Sequence, residues 1–197
     1  MDVLSTDAQR RTYLELMAEH CRLQEVEVLA WCLMTNHVHL VMVPPEETAL
    51  ARAVGEAHKR YTRWRNFAEG VRGYLFQGRF GSCVLDQRHL LAAARYTELN
   101  PVKAGLTANA EDWPWSSARY HLALQDQDPL IRDRTLRGLV PDARAWRELL
   151  TGTDEPAERQ LRRSSRTSRP AGDREFVKLV EKLTGRDLQG RSRRMGR

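Results

Sequence analysis

Two short runs of alternating apolar residues decide most of what this chain can fold into. Val26, Val28, Ala30 and Cys32 alternate with other residues, and His37 to Val43 alternates again until Pro44-Pro45 halts it. A period of two is the pattern of a strand with one face buried. Thr35-Asn36 between the runs supplies turn residues, so the pair is expected to form a β-hairpin. Helical patterns bracket it. Residues 6–22 carry the apolar stripe Tyr13, Leu14, Met17 and Cys21, and Thr6 with Gln9 can make a capping box. Residues 48–66 repeat Leu50, Val54, Ala57, Tyr61 and Trp64 at helical spacing, with Arg52, Lys59, Arg60, Arg63 and Arg65 mostly off that stripe.

A loop with Gly70, Gly73 and Gly78 leads to Arg79–Leu85, which reads as a strand. Asp86 is expected to cap a helix running to about Asn100 and stopping at Pro101, because the residue before proline disfavours helical geometry. With one more strand at its start, this order would become β-α-β-β-α-β, the ferredoxin-like plan. The expected class is therefore α+β: a ferredoxin-like antiparallel sheet with helices on one face, lacking its first strand, plus a helical, basic C-terminal extension. The main domain is placed at 1–125, with Trp113–Ser117 turning into a short helix. A helical extension follows at 126–150. Residues 151–173, rich in Arg, Ser and Thr with two prolines, read as a linker. The basic tail is 174–197, with an amphipathic helix through Phe176, Leu179, Val180 and Leu183 and a disordered end at 190–197.

Charge follows the same division. Residues 159–197 hold thirteen Lys/Arg against four Asp/Glu, a net of +9, while residues 1–158 hold nineteen against twenty-two, a net of −3. A concentrated basic segment suits an arm that neutralises phosphates, and equally a solvated tail with no specific partner. The three cysteines form no C-x-x-C pair and fit free thiols in a reducing cytoplasm. The longest apolar run, Val28 to Met34, is far too short to span a bilayer.

Two pairs of residues carry candidate chemistry. His37 and His39 flank Val38 on the second strand, so both imidazoles share one face and can hold one metal ion, while Val38 turns to the core with Leu40 and Met42. The alternative is two ordinary polar residues on a solvated face. Tyr96 and Asn100 lie four apart and share a helix face with His89 and Ala93. An amide oxygen can serve a hard divalent ion, and the tyrosine one turn away can act as nucleophile. The plainer alternative is a packed tyrosine with Asn100 as a helix cap.

The wording around these residues is specific. Trp31-Cys32-Leu33-Met34-Thr35-Asn36-His37-Val38-His39-Leu40 resembles the HUH block of the REP-associated tyrosine transposases, a branch of the insertion-sequence-200-like single-tyrosine transposases. Arg95-Tyr96-Thr97-Glu98-Leu99-Asn100-Pro101-Val102-Lys103-Ala104-Gly105-Leu106 resembles their tyrosine block. Phe76-Gln77-Gly78-Arg79-Phe80 and Trp113-Pro114-Trp115-Ser116-Ser117-Ala118 resemble two further blocks, in the same order and separation.

The resemblance implies His37 and His39 as metal ligands, Tyr96 as nucleophile, Asn100 as a third ligand, and Mg²⁺ or Mn²⁺ as the ion. It implies cleavage and rejoining of single-stranded DNA beside palindromic hairpins through a 5′-phosphotyrosine link. Arg60, Arg63, Arg65 and Arg79 are candidates to track phosphates. The basic segment, with Arg162, Arg163, Arg166 and Arg169, is a candidate clamp for the hairpin stem. His89 is a candidate base or DNA contact. Trp113 and Trp115 are expected to pack, with base stacking as the alternative. The expected partner is a DNA hairpin without any membrane, the state a monomer or homodimer, and the location cytoplasmic at the nucleoid.

One family feature is missing. Relatives open with a strand carrying an H-x-[TV]-x-R-G-N-like stretch, and nothing similar precedes the first helix here. The chain is therefore expected to be N-terminally shortened, with sheet edges left open and stability reduced. The alternative function is a palindrome-binding protein that does not cut.

Overall fold

In the computed structural model, which describes residues 2–132 and 135–188, the expected capping box forms. Thr6 Oγ1 accepts the Gln9 backbone N–H at 3.2 Å, and the Gln9 side chain accepts the Thr6 N–H at 3.1 Å. It opens helix α1, Asp7–Leu23, which buries Tyr13, Leu14, Met17 and Cys21. Strands β1, Glu27–Leu33, and β2, Val38–Val43, pair antiparallel from Glu27↔Val43 to Leu33↔Val38, with a register irregularity between Val28 and Ala30. Nearly all of β1 is buried, so its alternation is weaker than the sequence suggests. On β2, Val38, Leu40 and Met42 pack against the core as expected.

β1 would present its outer edge as unpaired backbone, and the Trp-Pro-Trp-Ser-Ser block covers it. Leu33 N–H donates to Trp115 O at 2.8 Å and Ser117 N–H to Trp31 O at 3.0 Å, with Cys32 and Ser116 bridged between them. The tryptophans pack, as expected. Trp113 Nε1 donates to Leu33 O at 3.0 Å, and the Arg10 guanidinium lies over the rings of Trp113 and Trp115. The block then turns into the short helix α5, Ala118–His121.

Helix α2, Ala49–Glu69, packs on α1, with Tyr61 edge-on to Tyr13 at 5.4 Å. The buried face departs from the expected stripe at its end. Trp64 is 37% exposed, whereas Arg65 is buried, bonded to Glu69 at 2.8 Å and to the carbonyls of Asp2 and Val3 at 2.8 and 2.7 Å. Arg65 is thus a fastener for the N-terminal segment, unlike the exposed cation the sequence suggests. The segment it holds has a task of its own. The N–H groups of Val3 and Leu4 both donate to Thr35 O at 2.8 Å, which pins the hairpin turn just ahead of His37.

Helix α3 spans Gln87–Glu98, and a four-residue helix α4, Asn100–Lys103, follows directly. The helix does not stop at Pro101 as expected. The chain breaks step at Leu99, and the proline falls in the first turn of α4, where a missing N–H is harmless. Residues 126–150 contribute helices α6, Thr135–Gly138, and α7, Ala143–Thr151, the latter capped by Asp142.

The chain forms two compact units, Met1–Phe80 with Ala94–Thr153, and Gly81–Ala93 with Asp154–Arg197. In the second, Asp86 caps α3 as expected through the His89 N–H at 2.9 Å. Arg79–Leu85 is not a strand. Its one bridge among the described residues joins Leu85 to Ala171, and a strand without a laddered neighbour has nothing to satisfy its backbone. Residues 151–173 are not a bare linker either, because helix α8, Glu155–Thr167, occupies most of them. Asp154 caps it and Pro156 sits in its first turn, so residues that look like linker composition serve as a helix start. Helix α9, Arg174–Thr184, matches the expected amphipathic helix, while residues 189–197 of the expected tail lie outside the described residues. The class is α+β, with a two-stranded antiparallel sheet among the described residues. No helix among the described residues is long and apolar enough to cross a membrane.

Candidate active site

The hairpin turn places His37 immediately before β2, and Met34 N–H donating to His37 O at 2.9 Å closes that turn. His39, two residues on, points to the same side. The two Nε2 atoms stand 2.9 Å apart, with the rings edge-on at 4.7 Å. Asn36 Oδ1 lies 2.6 Å from His37 Nδ1, and an amide oxygen only accepts. His37 therefore carries its proton on Nδ1 and turns the Nε2 lone pair toward His39. Desolvation holds His37 below the ordinary imidazole range, and burial with the neighbouring His37 pushes His39 down to about 4. Both rings are neutral near pH 7, the state that binds metals.

Tyr96 meets this pair from α3. Its ring lies at a right angle to that of His39, with centroids 5.7 Å apart. On its other contact, Lys103 Nζ sits 5.1 Å from the Tyr96 ring centroid. Asn100 is close by sequence, yet its Nδ2 donates back to Tyr96 O at 2.7 Å, which fastens the α3–α4 junction. Its amide oxygen is the only end left to face an ion. Among the described residues, no three of His, Cys, Asp and Glu gather into a metal cluster. Any ion held by His37 and His39 must draw its other ligands from an amide, water or the substrate.

The two imidazoles fit such an ion by their spacing. Two ligands at right angles, each about 2.1 Å from an octahedral ion, lie about 3.0 Å apart. The observed 2.9 Å matches. Asn36 gives His37 a hydrogen bond of the kind that orients histidines in metal sites.

The remaining candidates divide. Arg63 and Arg79 are exposed, and no ion pair engages either among the described residues. Arg60 is instead paired with Glu19 at 2.7 Å. Arg162, Arg163 and Arg166 stand exposed on α8, and Arg169 is half-buried. His89 commits both ring nitrogens, Nδ1 to Asp86 at 2.6 Å and Nε2 to Gln160 at 3.0 Å, which leaves it no free nitrogen for a base.

Sequence reasoning missed four features. Asn36, read only as a turn residue, and Lys103 lay inside the family-like blocks without an assigned role at the site. Phe67 and Tyr74 are 91% and 95% exposed, beside Arg63 and Arg79 in sequence, and aromatic side chains so bare are uncommon on a folded surface. Glu98 is fully buried with three partners distant in sequence, which no local pattern reveals.

His37 at the end of the hairpin turn and His39 on β2 thus face Tyr96 on α3 within an α+β scaffold. A family model described as IS200-like transposase matches residues 2–100, a stretch that includes His37, His39, Tyr96 and Asn100. The chain belongs to the IS200-like transposase family. It is 30% identical over 108 residues to a Haemophilus influenzae protein that bears the name of a REP-associated tyrosine transposase, covering 49% of this chain and 61% of that protein's length. The solved structure of a REP-associated tyrosine transposase bound to a REP hairpin aligns with a TM-score of 0.52 at 21% identity, over 64% of this chain and 75% of that one, a likeness of fold.

Proposed function

We propose that the chain is a metal-dependent tyrosine transposase that cleaves and rejoins single-stranded DNA beside a palindromic hairpin. The observation that carries this reading is the facing of His37, His39 and Tyr96 at contact distance from two separate elements. His37 and His39 would hold Mg²⁺ or Mn²⁺, with the Asn100 amide oxygen as a candidate third ligand. When bound, the ion would draw charge from a phosphate oxygen of the scissile bond.

The chain's own residues do the rest. Tyr96 Oη attacks the phosphorus, the Oη–P bond forms, and the P–O3′ bond breaks. The phenolic proton is given up and the departing O3′ takes one. The product is a 5′-phosphotyrosine and a free 3′-OH. Because a phosphodiester replaces a phosphodiester, a second 3′-OH can reverse the step at a new junction. Lys103 places a positive charge beside the ring in which phenolate charge develops. Arg63 and Arg79 offer exposed cations to the strand's phosphates, and Phe67 and Tyr74 offer faces for its bases. The partner class follows the relatives: a DNA hairpin of the REP type, met at the nucleoid.

The test is an adduct assay with a labelled single-stranded REP-type hairpin and Mn²⁺, resolved on a denaturing gel. A covalent band that disappears in Tyr96→Phe and with EDTA is expected. Tight hairpin binding with no adduct from wild-type protein would favour a palindrome-binding protein that does not cut.

A further inference from the structure

Glu98 follows Tyr96 by two residues on α3 and is fully buried. A carboxylate there is tolerable only if donors surround it, and three do. Ser117 Oγ–H donates to Oε1 at 2.6 Å, His121 Nδ1–H to the same oxygen at 2.5 Å, and Trp146 Nε1–H to Oε2 at 3.0 Å. Two residues on a helix are separated by about 200°. Glu98 therefore projects from the back of α3 while Tyr96 projects from the front toward His39. Arg95 shares the back face, one turn earlier, and binds the C-terminal carbonyls of α7, Leu149 at 2.7 Å and Gly152.

The network does more than fill a core. Ser117 Oγ, which donates to Glu98, also accepts the Trp31 N–H at 3.1 Å on β1. Trp31 pairs with Leu40, beside His39 on β2. A chain of hydrogen bonds thus joins the helix that bears Tyr96 to the strand that bears His39. All the donors to Glu98 lie beyond the stretch that the family model matches.

We propose that Glu98 is a positioning residue: by clamping the back of α3 to Ser117, His121 and Trp146, it sets the distance and angle of Tyr96 from the His37–His39 pair. The proposal rests on the reading of Tyr96 as nucleophile. A misplacement of about 1 Å at a reacting centre lowers a rate on the order of 100-fold.

The experiment compares full-length wild type, Glu98→Gln and Trp146→Phe, each also prepared with 3-fluorotyrosine at position 96 for ¹⁹F NMR. For Glu98→Gln, the single-turnover rate of adduct formation is expected to fall at least tenfold. Hairpin Kd should stay within twofold, and the ¹⁹F line of the folded protein should shift or split. Trp146→Phe, which removes a single donor, should show the same pattern at a few-fold and serves if Glu98→Gln does not fold. An unchanged rate with an unmoved ¹⁹F line overturns the proposal. So does a loss of binding and rate together, in step with the melted fraction, while the line of the folded fraction stays fixed. If wild type forms no adduct, the nucleophile reading fails by itself, and the ¹⁹F line still decides whether Glu98 positions Tyr96.

Discussion

Two polar clusters flank the same turn of α3, and they are built on opposite principles. Around Glu98 both carboxylate oxygens are engaged and no side chain reaches solvent. Around His37 and His39 the rings face each other at the surface, and the Nε2 lone pair of His37 has only the other ring to meet. A fully satisfied buried network stabilises and orients, whereas paired imidazoles kept near solvent are the arrangement expected of a functional site. The first cluster should therefore govern stability and alignment, and the second should govern chemistry with little effect on folding.

The largest effect expected is on chemistry alone. On the proposed reading, His37→Ala or His39→Ala would remove a ligand from an ion worth several kcal/mol at the transition state. Adduct formation should fall on the order of 10³-fold. Neither ring anchors the core, so a thermal melt should move by no more than about 2 °C. A large drop in Tm would show that the histidine pair is structural and would erase the contrast.

Trp146→Ala attacks the other cluster. The side chain is buried and donates to Glu98, so truncation leaves both a cavity and a weakened carboxylate. A loss of about 3–5 kcal/mol is expected, lowering Tm by roughly 10 °C. A melt unchanged from wild type would mean that α7 is not part of the cooperative unit.

His58 gives the contrast a pH dependence. Its Nε2 lies 2.9 Å from the Tyr13 hydroxyl and its ring stacks on Phe76 at 3.8 Å. Burial pushes it down to about 4. The unfolded ring takes up a proton near 6.5, so between the two values the unfolded state binds more protons. The contribution of His58 to stability is complete above about pH 6.5, declines as pH falls, and is gone below about 4, an effect on the order of 2 kcal/mol. His39 is depressed in the same direction, so the comparison needs a variant. His58→Gln should flatten the slope of urea-unfolding free energy between pH 6.5 and 4, and an unaltered slope would shift the origin to the histidine pair.

Much of this was legible in the sequence because it is local. The Thr6–Gln9 box, the hairpin, the α2 stripe up to Tyr61 and the Asp86 cap all depend on neighbours within one or two turns. So does the shared face of His37 and His39, which is a matter of strand pleat. What escaped depends on distant partners. Arg79–Leu85 has strand-like residues and no strand to pair with. Arg65 looks like surface charge until the carbonyls of Asp2 and Val3 meet it. The α8 segment hides its helix because serine and proline suit both a linker and a capped first turn. Glu98 reads as one more helix carboxylate, since its donors come from 19, 23 and 48 residues away.

The smallest effect tests how far support for the site extends. Thr6→Ala deletes the N-cap acceptor of α1 and should destabilise by about 1 kcal/mol, or 2–4 °C in Tm. Thr6 itself touches neither cluster. It does, however, follow Val3 and Leu4, whose N–H groups hold Thr35 O, and Thr35 leads into Asn36 and His37. If the cap serves α1 alone, the adduct rate at 25 °C should match wild type while Tm drops. If the rate falls several-fold in protein that is still folded, the N-terminal segment helps set the angle of His37. Support for the open cluster would then reach across the hairpin turn as well as through Glu98.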